Sequence, residues 1–224
     1  NPNFKVNKFK KFNQALDKNP ENFVVMRALA DVPTSTVMRT PCLMTGNVPQ
    51  KAHVMTAFGA LVAEEDSIPR QLKLAGKKSF FAGDPILLES CPDYLINTVP
   101  FQPFNIKNPR VDERIHTWLE EKIVENDFDL LLAHLLHIDH VGHAYGDLSN
   151  PATSIAINDV DTLLMKIIDL IDEDTILIFG GDHGMSTDGN HGGATPQETN
   201  TALVAYHKKG FMKYKLQNNT KEIK

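Results

Sequence analysis

A chain of 224 residues, 42% apolar and 23% charged, is long enough for one sizeable hydrophobic core and has the composition of a globular domain. Its formal net charge of -5 gives no electrostatic basis for nucleic-acid binding, and the lysines near its start (Lys5, Lys8, Lys10, Lys11) read as a solvated helix face. No apolar run reaches the ~18 residues that span a bilayer, and two cysteines, Cys42 and Cys91, are too few for a disulfide framework or a thiolate zinc site.

The pattern along the chain alternates as βα units do. A helix is expected over 8–17, then a strand over 21–29 that runs into Asp31-Val32-Pro33-Thr34-Ser35-Thr36. The hydroxyl residues after Pro33 lie just ahead of an apolar stretch, so any of Thr34, Ser35 or Thr36 can cap a helix starting near Val37, made irregular by Pro41 and Gly46. A helix over 64–74 leads into a strand over 78–82 that ends at Gly83-Asp84, and 85–109 reads as loop. Helical spacing returns over 111–124, followed by a buried strand over 130–136. The apolar stripe Val160, Leu163, Leu164, Ile167, Ile168 and Ile171 predicts a crossover helix over 158–171, which sets the flanking strands parallel with their loops at one edge. Thr175 to Phe179 is β-branched without polar alternation, as expected of a strand covered on both faces.

Two clusters of metal-ligating residues lie at the ends of these strands. After the strand over 130–136, Asp139 and His143 stand four residues apart, so one helical turn or a tight loop aims both at one ion; His140 then points elsewhere, toward substrate or as a support. After Phe179, the segment GGDHGMSTDGNHGG offers Asp182, His183 and His191 among glycines that let the backbone turn and approach a ligand closely. Either cluster alone is compatible with a structural role. Both at the carboxyl ends of strands in one α/β chain point to a metal site.

The order Pro33-Thr34-Ser35-Thr36, Thr45-Gly46, Asp139-x-x-x-His143, Gly181-Asp182-His183-Gly184 and His191-Gly192-Gly193 resembles that of the alkaline phosphatase superfamily. Within it, Ala30 to Arg39, Leu43 to Pro49, His140-Val141-Gly142-His143 and Gly181 to Gly193 are similar to the glycosylphosphatidylinositol (GPI) ethanolamine phosphate transferases, over about 23–210. Phe101 to Asn105 and Phe81 to Asp84 also match, but Pro85-Ile86 departs from the family after Gly-Asp. Cys42-Leu43-Met44-Thr45-Gly46 lacks the Pro and Arg of the sulfatase branch. The Gly189 to Gly193 segment leans toward the members that act on the third mannose over those that act on the second.

The resemblance implies an α/β, alkaline-phosphatase-like fold: a mostly parallel central sheet flanked by helices, here a single catalytic domain over 1–224. It implies two Zn²⁺ ions, one held by Asp139, His143 and His191, the other by Asp182 and His183 and also binding the hydroxyl of Thr36, the nucleophile; Thr34 and Ser35 are fallbacks. Coordination to a metal is a recognised way to activate such a hydroxyl. Phosphoethanolamine would pass from phosphatidylethanolamine, through a covalent threonine intermediate, to a mannose of the GPI precursor, in the lumen of the endoplasmic reticulum. Membrane spans outside the chain and a small stabilising subunit are implied as well. The chain opens at Asn1 without targeting character and is expected to be part of a longer protein; the sequon Asn218-Asn219-Thr220 is compatible with a lumenal location. In the family an acidic ligand ends a first strand ahead of the nucleophile, and since Asp17, Glu21 and Asp31 are poorly placed for that role, this strand too is expected outside the chain. A two-metal phosphodiesterase or phosphatase, and a metal-free interaction domain, are the alternative readings.

Overall fold

Six strands form two three-stranded sheets in the computed structural model, which describes residues 8–50, 66–84, 88, 95–100, 112–146 and 150–211. One sheet has the order β1 (Phe23–Leu29), β6 (Asn200–His207), β5 (Ile176–Gly180), and the other β3 (Ile96–Pro100), β2 (Ser79–Gly83), β4 (Leu130–Ala133). β2 is parallel to both its neighbours, whereas β6 is antiparallel to both β1 and β5. The expected mostly parallel single sheet is therefore corrected on the β6 side. The chain leaves β5 through the long loop after Gly180 and enters β6 from the single helical turn Pro196–Thr199, without a crossover helix packed along the sheet of the kind that joins parallel neighbours.

Seven helices join these strands among the described residues: α1 (Lys10–Lys18), α2 (Thr36–Thr45), α3 (Ile68–Leu74), α4 (Glu113–Glu125), α5 (His137–Tyr145), α6 (Pro151–Leu170) and the single turn α7 (Pro196–Thr199). α6 is the predicted apolar-striped helix, but the strands on either side of it, β4 and β5, belong to different sheets and so are not the parallel pair of one crossover unit. It is longer at its start than the stripe suggested because Asn150 caps it through Ala152 and Pro151 occupies its first position. α1, α4 and α6 lie over one face of the sheets, burying Phe12, Ile115, Leu119, Ile123, Leu163 and Ile167 against Ala82, Val204 and Tyr206. Phe12, fully buried, meets Phe23 and Phe179 edge-on at 5.5 and 5.4 Å.

Three further expectations change. β5 is not covered on both faces: Leu177 and Phe179 pack on the core, while Ile176 and Ile178 are exposed, as are Val24 and Met26 of β1 on the far side of β6. The strand expected over 130–136 stops at Ala133, where His134 to Leu136 become the approach to α5. β3 lies inside the stretch read as loop, and most of the rest of that stretch, with Cys91 and Phe101 to Asn105, falls outside the described residues, as does the sequon. No helix among the described residues is long and apolar enough to cross a membrane.

Candidate metal centre

Three segments deliver the candidate residues to one place. α2 begins at Thr36 itself: Ser35 takes the N-cap position in extended geometry without making a side-chain cap, and Gly46 closes the helix in the left-handed conformation. α5 presents Asp139 in its first turn and His143 one turn later, which settles the choice between helix and loop. The loop after β5 supplies Asp182, His183 and His191. Gly184 in that loop is obligatory, because a Cβ there would fall 2.0 Å from the carbonyl oxygen of Gln197. Gly142, between the two α5 residues, leaves room for the sulfur of Met185, which docks the loop on the helix.

The ligand-type atoms converge. Asp139 Oδ2 lies 3.4 Å from His143 Nε2, Asp139 Oδ1 lies 3.6 Å from His191 Nε2, and the two imidazole Nε2 atoms are 3.0 Å apart. On the other side, Asp182 Oδ2 is 3.5 Å and Thr36 Oγ1 3.2 Å from His183 Nε2. The His183 and His191 rings stack at 4.0 Å and join the two halves. Asp139, His183 and His191 hold ligand atoms within 4.8 Å of one another, a possible metal site that spans the two groupings inferred from sequence. All six candidate residues are thus brought together, and His140 is buried in the body of α5 beside them.

Four features of this arrangement fit a cation. Spacings of 3.0 to 3.6 Å are close to the edges, about 3.3 Å, of a tetrahedron with the ~2.0–2.1 Å bonds of zinc to nitrogen and oxygen. Asp139 Oδ1 and Asp182 Oδ2 are inaccessible to solvent and have no hydrogen-bond donor among the described residues, a costly state for a carboxylate oxygen unless positive charge faces it. His191 Nδ1 donates to the carbonyl of Thr34 at 2.9 Å and His183 Nδ1 donates to that of Gly184 at 2.9 Å, so each ring turns an Nε2 lone pair into the site. Burial first, then the neighbouring His183, hold the pKa of His191 below its ordinary value, which keeps that lone pair available.

The supports of the site were largely invisible in sequence. Thr34, fully buried, donates to the carbonyl of Gly193 at 2.7 Å and accepts from the Gly192 amide at 3.0 Å, so it fastens the His191 loop and does not cap α2. Arg39, 7% exposed, donates from Nε to the Asp182 carbonyl and from Nη1 to Asp31 Oδ2, each at 3.3 Å, tying α2 to the Asp182 loop. Glu198 accepts from the Gly193 and Thr195 amides at 2.8 and 3.0 Å. This last support had a sequence signal, the capping box Thr195-Pro196-Gln197-Glu198 directly after His191-Gly192-Gly193.

The family model for type I phosphodiesterase / nucleotide pyrophosphatase matches residues 78–194. GPI ethanolamine phosphate transferase 3 of Eremothecium gossypii is 36% identical over 203 residues, 88% of this chain and 20% of that protein. The human catalytic subunit of GPI ethanolamine phosphate transferase 3 is 30% identical over 202 residues, 90% of this chain and 18% of its own length. The chain thus spans about a fifth of the length of the curated relatives it matches. Among solved structures, the lipoteichoic acid synthase LtaP of Listeria monocytogenes superposes with a TM-score of 0.61 at 14% identity, over 91% of this chain and 61% of that one. A protein in the alkaline phosphatase superfamily from Vibrio parahaemolyticus gives 0.57 at 17%, over 86% and 54%. At these identities the likeness shows the fold alone, one that this chain shares with both of those proteins.

Proposed function

Because the chain belongs to the type I phosphodiesterase / nucleotide pyrophosphatase family, we propose that it is the catalytic domain of a GPI ethanolamine phosphate transferase that works through two zinc ions and Thr36. Asp139, His143 and His191 would hold one ion, and Asp182 and His183 the other. When bound, the pair supplies positive charge that lowers the pKa of a hydroxyl and neutralises phosphoryl oxygens. The observation that carries the reading is the position of Thr36: its hydroxyl lies 3.2 Å from His183 Nε2, at the first position of a ten-residue helix whose positive end favours an approaching phosphate.

Thr36 Oγ attacks the phosphorus of the phosphatidylethanolamine headgroup and gives its proton to solvent, the bond from phosphorus to the diacylglycerol oxygen breaks, and that oxygen takes up a proton from solvent and leaves as diacylglycerol. The phosphoethanolamine ester on Thr36 is then attacked at phosphorus by a mannose hydroxyl of the GPI precursor, which gives its proton to solvent; the bond from phosphorus to Thr36 Oγ breaks, and Thr36 is reprotonated and freed. Thr34 and Arg39 hold the loops around the reacting atoms still between the two steps, so the second displacement finds the geometry of the first. The domain faces the lumen of the endoplasmic reticulum in this reading, with membrane spans and any stabilising subunit supplied elsewhere. Among the described residues β4 and β5 are each the last strand of their sheet, and the segments that follow them meet in the site; this supports a further strand between them that carries an additional acidic ligand.

Transfer and hydrolysis share the ester on Thr36 and part only at the acceptor. With phosphatidylethanolamine labelled in its headgroup and a mannose-bearing glycolipid present, the label is expected on a mannose hydroxyl. Label released as free phosphoethanolamine, with none on the glycolipid, assigns the site to a phosphodiesterase.

A further inference from the structure

We infer that Asp112 is a positioning residue for the metal centre: it fixes the first turn of α5 so that Asp139 and His143 reach His191. This rests on the reading of Asp139 and His143 as zinc ligands. α5 has no capping side chain of its own, since Leu136 occupies the N-cap position with backbone angles already in the helical region. The carboxylate of Asp112, 2% exposed at the start of α4, takes over that task from a distance of 24 residues. Its Oδ1 accepts from the Leu136 amide at 3.0 Å and its Oδ2 from the His137 amide at 2.9 Å. Bonds from amides to an ionised carboxylate are the strong ones, and two of them on consecutive residues set both the height and the rotation of the turn. Asp139 follows two residues later. Its carboxylate then spans His143 and His191 within 3.6 Å, an arrangement that a small rotation of α5 would break.

The fold contains its own control. α1 also lacks a cap of its own, at Phe9, and Asp161 of α6, 1% exposed, accepts from the Lys11 and Phe12 amides at 2.8 and 2.9 Å. Asp161 has the same chemistry and burial at a helix that carries no ligand. Asparagine keeps one acceptor oxygen but turns an NH₂ group toward the second amide, so it breaks the clamp at either position.

The test measures zinc affinity by chelator competition, and the visible spectrum of the cobalt(II)-loaded protein, for Asp112→Asn and Asp161→Asn. Both variants should lose thermal stability. Only Asp112→Asn should bind zinc more weakly, by roughly 10–100-fold, and alter the cobalt spectrum, as loss of an outer partner does elsewhere. If that variant does not fold, Asp112→Ser, which retains one acceptor, should show the weaker binding in reduced degree. Zinc affinity and cobalt spectrum unchanged in the folded Asp112 variant, or weakened equally in Asp161→Asn, overturns the inference. A wild-type protein that binds neither metal overturns the ligand reading and this inference together.

Discussion

Replacing Thr36 with alanine is expected to abolish phosphoethanolamine transfer, by roughly 10⁴-fold or more given the ~10⁶-fold cost of deleting a hydrolase nucleophile, while zinc content stays near that of the wild type. The separation follows from what each side chain holds. The hydroxyl of Thr36 contributes one contact, at 3.2 Å, to a group otherwise built from Asp182 and His183. Its removal leaves α2 intact, because the bonds that shape the helix start come from the Met38 and Arg39 amides to the Ser35 carbonyl. His183→Ala, by contrast, removes an imidazole that faces both Asp182 and Thr36, and both zinc and transfer should be lost. Turnover and metal content measured on the same preparations check this. Substantial turnover in Thr36→Ala, or its complete loss in Thr34→Ala with the loop still folded, removes Thr36 from the mechanism.

The second large effect is expected at adjacent residues of one helix. Asp139→Asn should cost most of the zinc and nearly all transfer, since the change deletes the charge facing His143 and His191 while keeping the shape of the side chain. His140→Ala should retain most of both. His140 is buried in the body of α5, and burial holds its pKa below the ordinary histidine value, so it carries no charge into the site at neutral pH. Some stability is lost with it, which thermal unfolding separates from the metal effect. Equal loss of zinc in the two variants contradicts the assignment of Asp139 as the ligand.

The site was more legible than the sheet, for reasons that lie in how each is encoded. A ligand set is local chemistry: Asp139 and His143 share a helix face by spacing alone, and Asp182, His183 and His191 stand in one loop whose glycines announce its turns. α6 was readable because a regular apolar stripe survives any tertiary context. The direction of β6 was not, since Asn200 to His207 has the same composition whether it runs with or against its neighbours, and only its backbone pairing with β1 and β5 decides. The extent of β4 was overstated because the apolar run to Leu136 continues past the strand into the approach to α5, and an apolar run does not distinguish the two. Pro41 and Gly46 predicted an irregular α2; the helix passes through Pro41 and closes at Gly46. Asp112, Asp161, Thr34 and Arg39 act on backbone atoms 24 to 159 residues away, contacts for which no local pattern exists.

The ester on Thr36 is the one species that every step of the proposed reaction shares. Incubation of the zinc-loaded protein with phosphatidylethanolamine in the absence of a glycolipid acceptor, followed by acid quench, proteolysis and mass spectrometry, reads it directly. The expected result is phosphoethanolamine esterified to Thr36, absent from Thr36→Ala and discharged when a mannose-bearing glycolipid is added before the quench. Phosphoethanolamine found on Thr34, Ser35 or any other residue instead, or rapid transfer with no modified residue at any time, contradicts it.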